Sequence, residues 1–166
     1  ITNPVSVEDY VAHDGYKGLK NALAKSGADI VKEVTDSGLR GRGGAAFPTG
    51  IKWNTVLNAP ADQKYVVCNA DEGDSGTYSD RMIMEGDPLV LIEGMTIAGI
   101  AVGATQGYIY LRSEYPDALQ TLNEAIANAY QAGYLGKNIC GSGKHFDLEV
   151  RRAAGAYVCG EETSLL

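Results

Sequence analysis

The stretch DPLVLIEGMTIAGIAVGATQGYIYL, residues 87–111, decides the fold class that the sequence predicts. Asp87 and Pro88 are typical of a helix start, with aspartate as the N-cap and proline at the first helical position. The residues that follow are apolar on nearly all sides to about residue 102, which predicts a helix packed beneath other elements. Residues 107–111 alternate and include aromatic side chains, so they predict a strand. A buried helix followed by a strand is typical of an α/β fold.

Strands and helices also alternate on both sides of this stretch. A short apolar run over residues 65–68 predicts a buried strand, and residues 146–150 predict another. Residues 116–131 have apolar side chains at the 3–4 spacing of a helix. A last helix is predicted to begin at Gly160. The order strand, helix, strand, helix, strand predicts a Rossmann-like parallel sheet with crossover helices.

Short helices precede the predicted sheet. Residues 16–26 and 28–37 predict two helices that break at Gly27. We therefore expect an N-terminal helical entry segment over residues 1–37 and an α/β domain over residues 38–166. The chain begins with isoleucine and stops just after a predicted helix start, so we expect it to be a fragment of a larger subunit.

The composition argues against several functional classes. The formal net charge of −7 argues against a nucleic-acid partner, and the arginine–glycine run occurs only once. The most apolar stretch, residues 89–102, is shorter than the ~20 residues that a membrane span needs, and it contains Glu93. The three cysteines form no Cys-x-x-Cys pair, and no basic and apolar leader opens the chain. We expect a cytoplasmic protein without membrane insertion and without a metal site built from this chain alone.

A glycine-rich loop over residues 38–50, GLRGRGGAAFPTG, is the first candidate site. Glycine tolerates positive φ and lets backbone N–H groups approach a ligand, while the arginines carry charge suited to phosphate. Residues 41–46 fit the dinucleotide pattern G-x-G-x-x-A, but a helix-like segment precedes them where that pattern needs a strand. We interpret the loop as a phosphate-binding site, with a multi-turn connector as the alternative.

Two side chains in or beside this loop are candidate ligand contacts. Phe47 precedes Pro48, and its ring is either a stacking platform for a base or a plug that anchors the loop in the core. Lys52 lies at the start of a helix predicted over residues 52–58, where backbone donors favour an anion. Its ammonium group either reaches a phosphate or is simply solvated.

A second candidate site, the acidic turn, follows the first predicted strand at residues 69–77. Ligands in open α/β sheets bind beyond the carboxyl ends of strands, which is where this turn is expected. Asn69 offers donors and acceptors, and Asp71, Glu72 and Asp74 offer acceptors for ribose or ribityl hydroxyls. The alternative is a solvated acidic turn. A calcium loop is not favoured, because the spacing of the acids differs from that of an EF-hand.

A third candidate site lies in the segment AYVCGEET at residues 156–163. A short apolar stretch ends at Gly160, and Glu161 and Glu162 begin the predicted helix. The helix dipole favours acids there by ~0.3–1 kcal/mol each, so plain helix capping is the alternative to ligand binding. Cys159 is either a buried structural thiol or a group that tunes a neighbouring cofactor.

These three blocks occur in order, and together they resemble the flavin-bearing, NADH-binding subunit family shared by respiratory NADH:quinone oxidoreductase, NAD-reducing hydrogenases and NAD-dependent formate dehydrogenases. The resemblance rests on residues 37–53, 66–81, 91–112 and 151–165, and residues 5–23 are similar to the entry segment of that family. It implies a non-covalently held FMN as cofactor and NADH or NAD as the nucleotide.

The resemblance also implies roles for individual residues. The implied FMN contacts are Gly41, Arg42, Gly43, Gly44 and Lys52 around the phosphate and ring edge, Asn69, Asp71 and Glu72 around the ribityl and isoalloxazine groups, and Tyr157, Gly160, Glu161 and Glu162 closing the pocket. Phe47 would stack on the adenine of NADH, and Asp74 and Glu162 would contact the nucleotide. Glu72 and Glu162 are the predicted catalytic residues.

The reaction that the resemblance implies is hydride transfer between nicotinamide and FMN, followed by release of electrons one at a time to iron–sulfur clusters. A four-cysteine motif for a 4Fe–4S cluster is expected downstream of this chain, with other subunits of an iron–sulfur electron-transfer complex as partners. Residues 73–78 are more similar to soluble formate dehydrogenases and hydrogenases than to the respiratory enzyme. A soluble NAD-dependent formate dehydrogenase is therefore the predicted parent complex, with a hydrogenase or quinone oxidoreductase as the alternative.

Two other interpretations predict different observations. A scaffold that keeps the fold without binding flavin predicts no flavin absorbance in the purified protein. An ordinary Rossmann dehydrogenase predicts a strand directly before Gly41 and no retained flavin.

Overall fold

The structure is a computed structural model that describes residues 2–72 and 78–153. Its elements are, in chain order, α1 (Val7–Ala12), α2 (Lys17–Leu23), α3 (Gly27–Asp36), α4 (Thr49–Asn58), β1 (Tyr65–Ala70), α5 (Ser79–Gly86), α6 (Pro88–Val102), β2 (Gln106–Leu111), α7 (Pro116–Gln131) and β3 (Asp147–Arg152). A 3₁₀ turn, Ile139–Gly141, precedes β3. The helix predicted to begin at Gly160 lies outside the described residues.

The three strands form a parallel sheet in the order β1-β2-β3. Residues pair in register across it, as in the row formed by Cys68, Ile109 and Val150. Helices join each pair of neighbouring strands, with α5 and α6 between β1 and β2 and α7 between β2 and β3. The predicted Rossmann-like parallel sheet with crossover helices is therefore confirmed.

One face of the sheet carries the hydrophobic core. Along β2, buried residues alternate with half-buried ones, because successive side chains of a strand point to opposite faces. Ile109 and Leu111 belong to one core cluster with Ile92 of α6 and Leu122 of α7. The opposite face begins in β1 with Tyr65, which is 54% exposed. The prediction that the strand over residues 65–68 is buried is therefore wrong for the face of the sheet that carries Tyr65.

Helix α6 is central to the fold. It contacts β1 and β2 and every other helix from α2 to α7, and most of its residues are buried. Its bounds agree with the helix predicted over residues 88–102, and burial on all sides explains its uniformly apolar sequence. Asp87 occupies the predicted N-cap position and Pro88 the first helical position, but the Asp87 side chain makes no capping hydrogen bond.

A buried glutamate joins the N-terminal helices to α6. Glu93, which is 8% exposed, accepts hydrogen bonds from the backbone N–H groups of Tyr16 (3.0 Å) and Leu19 (2.9 Å). It also accepts from the hydroxyl of Tyr10 at 2.5 Å. Burial, together with Glu93, raises the pKa of this hydroxyl, so the tyrosine stays protonated. Glu93 thus caps α2, whose N-cap residue Tyr16 has no capping side chain.

The division of the chain into an entry segment over residues 1–37 and an α/β domain over residues 38–166 stays a prediction.

The sequence patterns locate long helices better than short ones. The helix predicted over residues 116–131 is confirmed as α7, whereas α1 and α5, with 6 and 8 residues, are not predicted. Such short helices have too few turns to show apolar periodicity. The acidic turn is predicted to begin at Asn69, but β1 continues through Asn69 to Ala70.

Two glycines allow close packing between α6, β2 and the segment before β3. A Cβ atom on Gly99 would lie 2.4 Å from the ring of Phe146, and a Cβ atom on Gly107 would lie 2.6 Å from the same ring. Phe146 is fully buried, so its ring has no room to move aside. Gly94 lies in the same helix as Gly99, but a Cβ atom there would meet no described atom within 4 Å.

We expect Gly94→Ala and Gly99→Ala to change stability in opposite directions. Gly94→Ala raises the free energy of unfolding by roughly 0.5–1 kcal/mol, because alanine loses less conformational freedom than glycine in a helix. Gly99→Ala lowers it by about 1–3 kcal/mol, because the new methyl group overlaps the Phe146 ring. Urea unfolding followed by circular dichroism measures both values. Equal stability of the two variants would contradict the packing described for Gly99.

Candidate functional site

The acidic turn begins at the carboxyl edge of the sheet. Because the strands are parallel, β1, β2 and β3 end at this edge with Ala70, Leu111 and Arg152. Asn69 is exposed near the end of β1, and its side-chain oxygen accepts the backbone N–H of Asp71 at 3.2 Å. The turn therefore starts where ligands bind in open α/β sheets, as its sequence position predicts.

Glu72 is buried at this edge, with 8% of its surface exposed. Its Oε2 atom accepts the backbone N–H of Asp80 at 2.7 Å and the hydroxyl of Ser79 at 3.2 Å. Its Oε1 atom accepts the hydroxyl of Tyr115 at 3.0 Å. The carboxylate thus caps the N-terminus of α5, whose own N-cap residue Tyr78 makes no side-chain capping bond. The predicted roles of Glu72 as a flavin contact and catalytic residue stay predictions.

These donors fix the charge of Glu72. Burial alone raises the pKa of this carboxyl, but the Asp80 backbone N–H and the Tyr115 and Ser79 hydroxyls outweigh burial and hold the pKa below its ordinary value. Burial, with a smaller contribution from Asp80, raises the pKa of the neighbouring Cys68 thiol to about 11. At neutral pH the glutamate is therefore charged and the cysteine is protonated.

Two arginines lie beside the ring of Tyr115. The guanidinium groups of Arg81 and Arg112 each lie 5.4 Å from the ring centre, within cation–π range. Arg112 immediately follows β2 and donates through a guanidinium nitrogen to the backbone carbonyl oxygen of Glu72. We refer to Glu72, Arg81, Arg112 and Tyr115 as the edge cluster.

Within the edge cluster, the sequence patterns predict a site role for Glu72 but not for the two arginines or the tyrosine. The signal that could have found Arg112 is its position, because it follows the last residue of a predicted strand. Polar residues directly after neighbouring parallel strands meet at one edge of the sheet. Applying this rule to β2 as well as β1 would have placed Arg112 beside the acidic turn.

The glycine-rich loop is a compact turn between α3 and α4. The backbone N–H of Gly41 donates to the carbonyl of Phe47 at 2.9 Å, and Arg40 and Pro48 form an isolated antiparallel bridge. Among residues 2–40, no strand precedes Gly41, and the first strand of the described chain is β1. The interpretation as an ordinary Rossmann dehydrogenase, which needs a strand at that position, is therefore wrong.

Three glycines of this loop, Gly41, Gly43 and Gly44, provide space without unusual backbone angles. Positive φ occurs in the loop at Gly38 (72°) and Ala46 (45°) but not at these three. A Cβ atom on Gly43 or Gly44 would meet no atom of the described residues within 4 Å. The loop therefore leaves an open backbone surface, which fits the close approach of a ligand.

Side chains in and beside the loop are exposed. Phe47 is 45% exposed, so the alternative of a core plug is wrong, and its stacking role stays a prediction. Arg42 and Lys52 are exposed, and within the part of the chain that the structure describes they form no hydrogen bond or ion pair. Cations without partners beside an open glycine surface suit a phosphate group.

The glycine-rich loop and the acidic turn are held by separate contacts. Near the amino edge of the sheet, the ammonium group of Lys64 donates to the carbonyl oxygens of Leu57 (3.0 Å) and Val102 (3.2 Å), which places the last turn of α4 there. Because Leu57 lies eight residues after Thr49, where α4 begins, the loop lies about 12 Å along the helix from this contact. The convergence of the loop with the acidic turn stays a prediction.

The remaining predicted site residues lie outside the described residues. They are Asp74, Tyr157, Cys159, Gly160, Glu161 and Glu162. Their contacts with FMN or the nucleotide stay predictions.

Comparison with known proteins relates this geometry to a family. Residues 34–166 match the family described as the Nuo51 FMN-binding domain. The chain belongs to this family. The matched residues include the glycine-rich loop, the edge cluster and all three strands. The resemblance to the flavin-bearing subunit family is confirmed, and so is FMN as the expected cofactor of this Nuo51-type domain.

Two curated relatives are similar over almost the whole chain. The NADP-reducing hydrogenase subunit HndC of Solidesulfovibrio fructosivorans is 54% identical over 164 residues, which cover 99% of this chain and 33% of the relative. An NADH-quinone oxidoreductase subunit of Escherichia coli (strain K12) is 49% identical over 168 residues, which cover 98% of this chain and 37% of the relative. The chain therefore spans only 33% and 37% of the lengths of these relatives.

A solved structure has the same fold as this Nuo51-type domain. The crystal structure of an NAD+-reducing NiFe hydrogenase in the H2-reduced state matches with a TM-score of 0.75 and 40% identity, covering 86% of this chain and 24% of that chain. This likeness confirms the predicted α/β fold. Among the described helices, none combines the length and the apolar character that crossing a membrane requires.

We expect Glu72→Gln to destabilise the protein in a pH-dependent way. Because the folded pKa of Glu72 is lowered, its charged form stabilises the fold above the unfolded pKa, and this contribution is lost as the pH falls through the folded value. At pH 7 the variant should lose about 1 kcal/mol of unfolding free energy, the usual contribution of a helix cap. The difference from wild type should shrink below about pH 4.

Urea unfolding at a series of pH values measures this difference. Glu124→Gln is a matched control, because Glu124 is exposed on α7. If Glu72→Gln lowers the free energy of unfolding by the same amount at neutral and acid pH, the charged form of Glu72 is not what stabilises the start of α5.

Proposed function

We propose that this Nuo51-type domain is the NADH- and FMN-binding module of a larger NAD(P)-linked oxidoreductase. The family match over residues 34–166 is the observation that carries the proposal. Relatives named as NADP-reducing hydrogenase and NADH-quinone oxidoreductase subunits support it, as does the NAD+-reducing hydrogenase of the same fold. When bound, FMN supplies the chemistry of hydride acceptance and single-electron release.

The glycine-rich loop would hold the phosphate group of FMN. Gly43 and Gly44 leave the backbone open to close approach, and Gly41 begins the same turn. Arg42 and Lys52 supply positive charge without a carboxylate partner among the described residues. Lys52 also lies in the first turns of α4, where backbone N–H groups favour an anion.

The carboxyl edge of the sheet would hold the rest of the flavin and the nucleotide. Asn69 and Asp71 offer amide and carboxylate groups to the ribityl hydroxyls. Phe47, with its exposed ring, would stack on the adenine of NADH. Asp74 and Glu162 would contact the nucleotide. The other pocket residues in this proposal are Tyr157, Gly160 and Glu161.

The main contribution of these residues to the reaction is position. Holding the nicotinamide and flavin rings ~3–3.5 Å apart replaces an encounter in solution with an oriented contact, and no side-chain nucleophile is needed. A carboxylate near the nucleotide, such as that of Glu162, would repel the pyrophosphate of NADH and so favour release of the nucleotide. The site requires the glycine-rich loop, the acidic turn and the segment at Gly160 to converge on one flavin.

The parent complex is the finer part of the proposal. We retain a soluble NAD-dependent formate dehydrogenase as the predicted parent, on the sequence of residues 73–78, with hydrogenase and quinone oxidoreductase complexes as alternatives. A 4Fe–4S cluster in a downstream segment, iron–sulfur partner subunits and a cytoplasmic location belong to the same prediction. Mass spectrometry of the subunits that co-purify with the full-length protein identifies the parent complex.

The Gly44→Val variant tests the predicted phosphate site. The valine side chain would fill the open surface of the loop, so FMN affinity should fall at least tenfold, or by about 1.4 kcal/mol. The melting temperature of the flavin-free protein should change little, because a Cβ atom on Gly44 has no described atom within 4 Å. Quenching of FMN fluorescence during titration with the flavin-free full-length protein measures the affinity.

Gly94→Ala is the matched control, because its new methyl group also meets open space but lies in α6. Unchanged affinity in Gly44→Val would place the phosphate elsewhere. Purified wild-type protein that shows no flavin absorbance and binds no added FMN would instead support the flavin-free scaffold.

A further inference from the structure

We infer that Arg112 and Tyr115 are positioning residues of the flavin site, and that they act through Glu72. The inference rests on the proposed function and assigns residues to it that the sequence analysis did not. In this role Glu72 is a buried helix cap that joins the end of β1 to the start of α5. The side chains presented to the flavin from this turn are those of Asn69 and Asp71.

The hydrogen bonds of Glu72 oppose a direct role in flavin binding. Both carboxylate oxygens accept protein donors, two from the start of α5 and one from Tyr115. Turning the carboxylate toward a ligand would leave the Asp80 backbone N–H without its partner. Leaving a buried donor unpaired costs about 1–3 kcal/mol, so the cap is the favoured state of this side chain.

Arg112 clamps the turn on both sides of Asp71. Its backbone N–H donates to the carbonyl of Ala70 at 3.2 Å, and its guanidinium group donates to the carbonyl of Glu72. The residue between these two carbonyls is Asp71, which the proposed function places against the ribityl chain. Arg112 itself is fixed by β2 and by a hydrogen bond from its Nε to Glu114 at 3.0 Å.

Tyr115 holds the carboxylate from the other side. Its hydroxyl donates to Glu72, and its backbone N–H donates to the carbonyl of Arg112 at 3.2 Å. Its ring lies 5.4 Å from each guanidinium group of Arg81 and Arg112. Among the described residues, the charged groups near the carboxylate include Asp80 and Arg81 from the start of α5 and Arg112 directly after β2.

Tyr115→Phe tests the inference, because it removes one hydroxyl and keeps the ring beside the two arginines. In flavin-free protein, the amide hydrogens at the start of α5 should exchange with deuterium at least fivefold faster. FMN affinity should fall about tenfold. As the pH is lowered, FMN affinity should also begin to decline at a higher pH than in wild type, because Glu72 loses a donor that lowers its pKa.

Two further variants separate positioning from general destabilisation. Tyr65→Phe is the matched control, because Tyr65 is exposed at the opposite end of β1, and it should leave exchange and affinity unchanged. Arg112→Met removes the clamp on the Glu72 carbonyl and should weaken FMN binding at least as much as Tyr115→Phe. Arg112→Lys keeps one charged donor and should recover part of the affinity.

The outcomes distinguish this inference from the proposed function. If the wild-type protein binds no FMN, the proposed function is overturned. Deuterium exchange at the start of α5 then tests only whether Tyr115 supports the helix cap by Glu72. Wild-type protein that binds FMN, with Tyr115→Phe binding it equally well at every pH, overturns the inference. Unchanged exchange at the start of α5 in Tyr115→Phe overturns it as well.

Discussion

Two buried carboxylates hold the short helices of this domain to its sheet and central helix. Glu93 accepts two backbone N–H groups at the start of α2 and the hydroxyl of Tyr10, and Glu72 accepts a backbone N–H at the start of α5 and the hydroxyl of Tyr115. In both cases the N-cap residue is a tyrosine whose side chain makes no capping hydrogen bond. A carboxyl group from outside the helix replaces the local cap, from α6 for α2 and from the residue two positions after β1 for α5.

The same arrangement links stability to the candidate site. The Glu72 carboxylate connects the end of β1, the start of α5 and the residues after β2, which meet at the carboxyl edge. A free carboxylate buried at this depth would be costly, and its donors lower that cost. The side chains of Asn69 and Asp71 lie next to this fixed point, whereas the glycine-rich loop reaches its position through α3 and α4. One half of the proposed flavin site is therefore part of the sheet edge, and the other half is carried by the helical layer.

The sequence predicted most of the fold because its long elements carry strong patterns. The bounds of α6 and α7, the parallel order of strands and helices and the break near Gly27 all follow from apolar spacing and from proline and glycine positions. The caps by Glu72 and Glu93 could not be predicted, because their partners lie 7–83 residues away and leave no local signal. For the same reason, the sequence could not show that one carboxylate of the acidic turn, that of Glu72, accepts hydrogen bonds from α5 and Tyr115. The open backbone at Gly43 and Gly44 agrees with the close ligand approach that the glycine-rich sequence predicts, and this could be predicted because it depends only on the missing Cβ atoms.

The protonated thiol of Cys68 has a chemical consequence for a domain of an FMN-binding family. A thiol with a pKa of about 11 is almost entirely in its unreactive form at neutral pH, and the thiolate is the form that peroxides and alkylating reagents attack. Its position in β1 therefore lets the chain keep a sulfur atom near the carboxyl edge of the sheet without making it a ready target for oxidation. Maleimide labelling of the folded protein should accordingly spare this cysteine and should begin only when β1 separates from β2.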